Sequence, residues 1–113
     1  MPHSLTSRQA DERLNALERD GLNIKVIRSE FQLARRSAQQ CTTTQLRGTL
    51  THLIDMAAAA SQLDMHLAEA TGHQPDKVTN WRNFLRDTVD EATDEVFDIL
   101  VNECGCLKPN ERR

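Results

Sequence analysis

The chain has 113 residues, a formal net charge of −3, and 38% hydrophobic but only 4% aromatic side chains. That length predicts a single domain that can bury roughly two thirds of its unfolded surface without staples, and the acidic balance excludes a chain that binds nucleic acid through bulk charge. No apolar run reaches the roughly 20 residues that span a bilayer, and the first residues lack the apolar core of a signal peptide, so the expectation is a cytoplasmic protein.

Ala, Leu, Arg, Asp, Glu and Gln dominate while Gly and Pro total only seven, which favours helix. The first helix starts near Thr6 or Ser7, either of which can accept from exposed first-turn amides. Ala10, Leu14 and Leu17 share one helical face, and Gly21 is a left-handed stop. The second helix runs from Asn23 to about Gln40. Its apolar positions Ile24, Ile27, Phe31, Ala34, Ala38 and Cys41 alternate steps of three and four.

Thr42, Thr43 and Thr44 suit a helix start better than a helix interior. They open a third helix running to about Thr71, with Gly72 as its stop. Leu46, Leu50, Leu53, Ala57, Ala60 and Leu67 mark the centre of its apolar face. Ile54, Met56, Leu63 and Met65 widen that face to about half the circumference, which predicts cover on more than one side. Pro75 fits the first turn of a fourth helix whose apolar line is Val78, Trp81, Leu85, Val89, Ala92, Val96, Ile99 and Leu100, with Gly105 ending it.

The fold class is therefore all-α. About four helices are built on a long antiparallel hairpin, residues ~43–71 and ~75–104, with two shorter N-terminal helices against it. Residues 1–113 form one domain with 1–5 and 107–113 frayed. Each long helix spans about 42 Å, more than the roughly 34 Å diameter of a compact chain of this size. Two short helices cannot shelter that hairpin fully, so a second polypeptide is expected to cover the rest.

Several constellations carry possible chemistry. His52 with Asp55, and His66 with Glu69, are one turn apart and invite a metal reading, with His73 nearby. The two histidines are about 21 Å apart along the helix, on its polar face, so no metal site is expected. Cys104-Gly105-Cys106 is too short a donor set for a closed zinc site. The odd count of three cysteines is unlike a secreted disulfide framework. The expectation is that Cys104 packs, Gly105 caps and Cys106 sits in a loose turn. Asp64 projects from the apolar face of the third helix and must be paired; Arg28, Arg35 and Arg86 are the candidates. Asp87, Asp90, Glu91, Asp94, Glu95 and Asp98 form an acidic band, read as a solvated face. No catalytic residue and no cofactor are assigned.

At 100° per residue, Phe97 and Val101 project outside the buried face of the fourth helix and Cys104 continues them. An exposed Phe-Val strip is a typical association surface. The expected partner surface is thus Phe97, Leu100, Val101 and Cys104 with Ala57 and Ala60, whose small side chains allow close approach. Val26 and Leu33 form a second candidate surface. The function expected is non-enzymatic protein–protein interaction: a homodimer, or a small regulator, antiactivator or inhibitor that sequesters another protein such as a transcription factor. A second reading is a nucleic-acid-binding regulator with a helix-turn-helix-like N-terminal pair carrying Arg28, Arg35 and Arg36. A third is a metal-dependent helical-bundle enzyme.

Overall fold

The computed structural model describes residues 7–69 and 75–107, and among them every regular element is helical. The four helices are α1 (Ser7–Arg19), α2 (Lys25–Gln40), α3 (Thr43–Glu69) and α4 (Pro75–Asp98), and α4 continues into a π-helical turn, Ile99–Glu103. The expected all-α class and four helices are as the periodicity indicates. Thr6, Gly72 and His73 lie outside the described residues.

The junctions follow from local chemistry. After α1 the chain enters a Schellman turn: Gly21 N–H donates to Glu18 O at 3.0 Å and Leu22 N–H to Leu17 O at 3.2 Å. That turn places Gly21 at φ 98°, which glycine adopts without a Cβ clash. The second helix begins at Lys25, two residues later than expected, with Ile24 as its cap residue making no side-chain capping bond. Cys41, at φ 56°, is the left-handed residue that ends it. At the start of α3, Thr42 Oγ1 accepts from Gln45 N–H at 3.0 Å, satisfying one orphan amide of the first turn.

The helices run up, down, up, down. Arg28 of α2 donates to Asn15 and Glu18 of α1, His52 of α3 meets Glu30 of α2, Asp64 of α3 meets Arg82 of α4, and Arg13 and Asp20 of the first limb meet Glu91 and Trp81. Each helix therefore lies antiparallel to the next, and α1 closes the ring against α4. The extents are 48 × 29 × 23 Å with a radius of gyration of 14.7 Å, longer than an isotropic chain of this size.

Ala10, Leu14 and Leu17 of α1, Ile27, Phe31, Ala34 and Ala38 of α2, Met56 of α3, Leu85, Ala92 and Val96 of α4, and Leu100 of the π turn make a continuous core that solvent hardly reaches. The α2 stripe buries every helical position of its three-four alternation, because α2 is overlaid by α3 on one side and by α4 on the other. In α3 the buried line is Thr49, Leu53, Met56 and Leu67. That centre is rotated from the one expected, and one flank of the broad apolar face is left bare. Leu107, expected to fray, packs on the core and donates its N–H to Leu100 O at 3.2 Å.

Candidate functional site

A helix whose apolar face covers about half its circumference must either be sheathed on more than one side or present a surface, and α3 does the second. Thr49, Leu53, Met56 and Leu67 face inward. Around the helix from them, Leu50, Ile54, Ala57, Ala58, Ser61, Met65 and Ala68 fall in one arc about 100° wide. All seven are exposed, and the large ones are strongly so: Leu50 39%, Ile54 67% and Met65 61%. No charged residue falls in that arc between Arg47 and Ala68. It is about 27 Å long at 1.5 Å per residue. Thr51, Asp55, Gln62 and His66 border one edge of the arc, and Asp64 borders the other.

The alanine run straddles the boundary of this face. Ala57 and Ala58 are exposed, whereas Ala59 and Ala60 rest against the core. Beside them an open groove between α3 and α4 is lined by Ala57, Ala60 and Ser61 on one wall and Leu85, Arg86 and Val89 on the other, with Asp64 and Asp90 at the same groove. The small side chains leave an apolar floor open to solvent.

The C-terminal strip behaves differently from its helical projection. Leu100 is fully buried, and Phe97 and Val101 are half-buried, Phe97 against the core. Beyond Phe97 the chain enters the π turn: Cys104 N–H donates to Ile99 O at 2.9 Å, an i→i+5 bond that advances the chain by less rotation per residue than an α-helix. Leu100 is carried under the bundle, and Cys104 is carried to the end of α2. There Cys104 is joined to Cys41 by a disulfide with a Cα–Cα distance of 5.5 Å. Cys104 is thus part of a crosslink and does not extend a surface strip. Cys106 keeps a free thiol, half-buried, and the three sulfur atoms lie within 4.8 Å of one another. Of the second candidate surface, Val26 is 60% exposed and Leu33 half-buried. Val26 borders a shallow depression with Ala59, Leu63 and His66, on the polar edge of α3 away from the bare arc.

Asp64 sits where α3 meets α4 with its side chain 20% exposed. Its carboxylate accepts from Arg82 Nε at 2.7 Å and Arg82 Nη2 at 3.2 Å, and from Arg86 Nη2 at 3.3 Å. The bidentate fork of Arg82 holds the carboxyl below its ordinary value; partial burial opposes this and Arg86 reinforces it. Two of the expected partners, Arg28 and Arg35, are engaged elsewhere. Arg28 donates to Asn15 at 2.9 Å, and Arg35 lies 3.8 Å from Asp11 with its guanidinium over the Phe31 ring at 5.5 Å. Both arginines are mostly covered, so Arg36 alone of the expected basic trio is exposed.

The acidic band of α4 is not wholly a solvated face. Glu95 is only 5% exposed, and Glu91 pairs with Arg13 at 3.1 Å. His52, placed by sequence on an outward polar face, is half-buried with Nδ1 at 2.6 Å from Glu30 Oε2. Asp55 approaches the same pair, so that one ligand atom from each of Glu30, His52 and Asp55 lies within 4.8 Å of the others. Asp55 is exposed, and the short His52–Glu30 contact is a tertiary link tying α2 to α3.

No helix among the described residues is long and apolar enough to cross a membrane. Comparison of the chain with protein-family models, with curated proteins and with solved structures finds no match.

Proposed function

We propose that this chain is a non-enzymatic association module that pairs with a second copy of itself through the bare face of α3, and that it serves as a small regulator by occupying protein surface. The single observation behind this reading is the uncharged arc from Leu50 to Ala68, with Leu50, Ile54 and Met65 exposed. Exposed apolar area of this kind is the usual substance of an interface core.

The order of residues along the arc favours a copy of the same helix as occupant. A two-fold axis through the Ala57–Ala58 peptide sets Leu50 against Met65, Ile54 against Ser61, and Ala57 against Ala58. Large side chains then meet at the two ends, Ile54 meets a small serine, and the smallest residues meet at the axis, where two helix backbones approach closest. An isologous contact demands this reciprocity, residue i on j and j on i. One helix face gives an interface at the small end of the range, consistent with micromolar affinity. In the wider role, a client protein is sequestered on the same face or on the adjoining α3–α4 groove.

The test is sedimentation velocity of the wild type over a dilution series beside Ile54→Asp. A concentration-dependent dimer that Ile54→Asp abolishes supports the reading. A wild type that stays monomeric into the hundred-micromolar range removes the homodimer.

A further inference from the structure

Far from the α3 face, three sulfur atoms converge from two ends of the sequence. Cys41 is the left-handed residue at the end of α2, and Cys104 is the residue that closes the π turn. Their disulfide spans 63 positions of sequence. Gly105 then takes φ 68°, and the chain doubles back so that Cys106 N–H donates to Leu100 O at 2.8 Å. Glycine takes this left-handed conformation without a Cβ penalty. The fold-back is what sets the Cys106 sulfur within 4.8 Å of both bonded sulfurs. With two of the three sulfurs already joined, the chemistry this cluster can perform as built is exchange rather than metal coordination.

We propose that Cys41, Cys104 and Cys106 form one thiol–disulfide exchange centre, in which Cys106 displaces Cys104 from Cys41 and the cluster equilibrates with small-molecule thiols and disulfides. The Cys106 thiol loses its proton and the thiolate attacks Cys41 Sγ. The Cys41–Cys106 bond forms, the Cys41–Cys104 bond breaks, and Cys104 leaves as a thiolate that takes up one proton. No electrons are gained or lost, so no oxidant or reductant is consumed. The leaving group has a seat: Cys104 Sγ lies 2.8 Å from the carbonyl oxygen of Ala38, to which the released thiol donates. Cys41 Sγ lies 3.4 Å from the same oxygen. When a small disulfide such as glutathione disulfide meets the fully reduced cluster, its first product is a mixed disulfide at one cysteine. A neighbouring thiolate displaces the second glutathione, leaving two glutathione thiols, one protein disulfide and one protein thiol.

Two results together carry the proposal. The reduced chain is oxidised with glutathione disulfide under native conditions, its remaining thiol is blocked with N-ethylmaleimide, and the labelled site is located by tandem mass spectrometry. In the wild type the label appears on Cys106 and, in a detectable fraction, on Cys104. In Cys104→Ser the same treatment yields a Cys41–Cys106 disulfide. A label confined to Cys106 in the wild type at every time point overturns the proposal, and so does a Cys104→Ser chain that retains two labelled thiols. The wild-type measurement needs no variant and stands even where the substituted chain fails to fold.

Discussion

Replacing Ile54 by aspartate tests the α3 face most directly. Ile54 is 67% exposed in the single chain, so most of its side chain is still available for burial by a partner. Full burial of an isoleucine is worth roughly 1.5–3 kcal/mol, which scales to about 1–2 kcal/mol for the exposed portion. A two-fold axis counts that loss twice, so Ile54→Asp weakens the dimer by about 2–4 kcal/mol, a roughly 30- to 700-fold rise in Kd. A carboxylate held against the Ser61 of a second copy adds a desolvation cost in the same direction. The folded monomer is little changed, because most of this side chain is already in solvent. The assay is sedimentation equilibrium over a hundredfold dilution range. Val26→Asp serves as the control, since Val26 is 60% exposed but lies off the arc. An Ile54→Asp chain that dimerises like the wild type, or a Val26→Asp chain weakened as much, refutes the assignment of this face.

The remaining predictions concern the bundle itself. Met56→Ala, at a site that solvent does not reach, lowers unfolding free energy by roughly 2–5 kcal/mol in urea titrations. Asp64→Asn costs about 1 kcal/mol or less, because the Arg82 and Arg86 pairing is partly solvated. Since the folded-state pKa of Asp64 is depressed below 3.8, this contribution is fully present well above pH 3.8 and disappears as pH falls through the lower folded value; in the Asn variant that part of the acid dependence is absent. Reducing the Cys41–Cys104 bond, which closes a loop across 63 positions, lowers stability by roughly 2–4 kcal/mol, read as a fall in Tm with and without a phosphine reductant. Phe97→Ser, at a half-buried position against the core, lowers Tm and leaves self-association unchanged.

How much of this was legible in the sequence depended on how many sides of each helix were covered. The α2 stripe could be read residue by residue, because Ile27, Phe31, Ala34 and Ala38 are all buried. In α3 two apolar arcs lie side by side, and nothing in the periodicity says which is sheathed. The choice was made by where α2 and α4 land, so Leu50 was placed at the centre of a buried face and is exposed instead. Projection at 100° per residue failed for Val101 because the Ile99–Glu103 segment is wound as a π turn, whereas Phe97, which precedes that turn, is half-buried because it rests against the core. Cys41 and Cys104 could not be paired from a spacing of 63, and Glu30 could not be set beside His52 from a spacing of 22. For Asp64, the need for a cation followed from burying a carboxylate among apolar groups. Arg86 was among the candidates, but Arg82, which supplies the fork, was not, because the register of the hairpin was unknown.

The crosslink at residues 41 and 104 also decides how the molecule bears mechanical load. Tension applied between residues 7 and 107 runs down α1 and α2 to Cys41, crosses the sulfurs, and leaves through Cys104. The chain between those two points, with α3, α4 and the bare face, is bypassed. Pulling peels off the first two helices while the hairpin beyond the bridge stays slack, and only after reduction does force reach it.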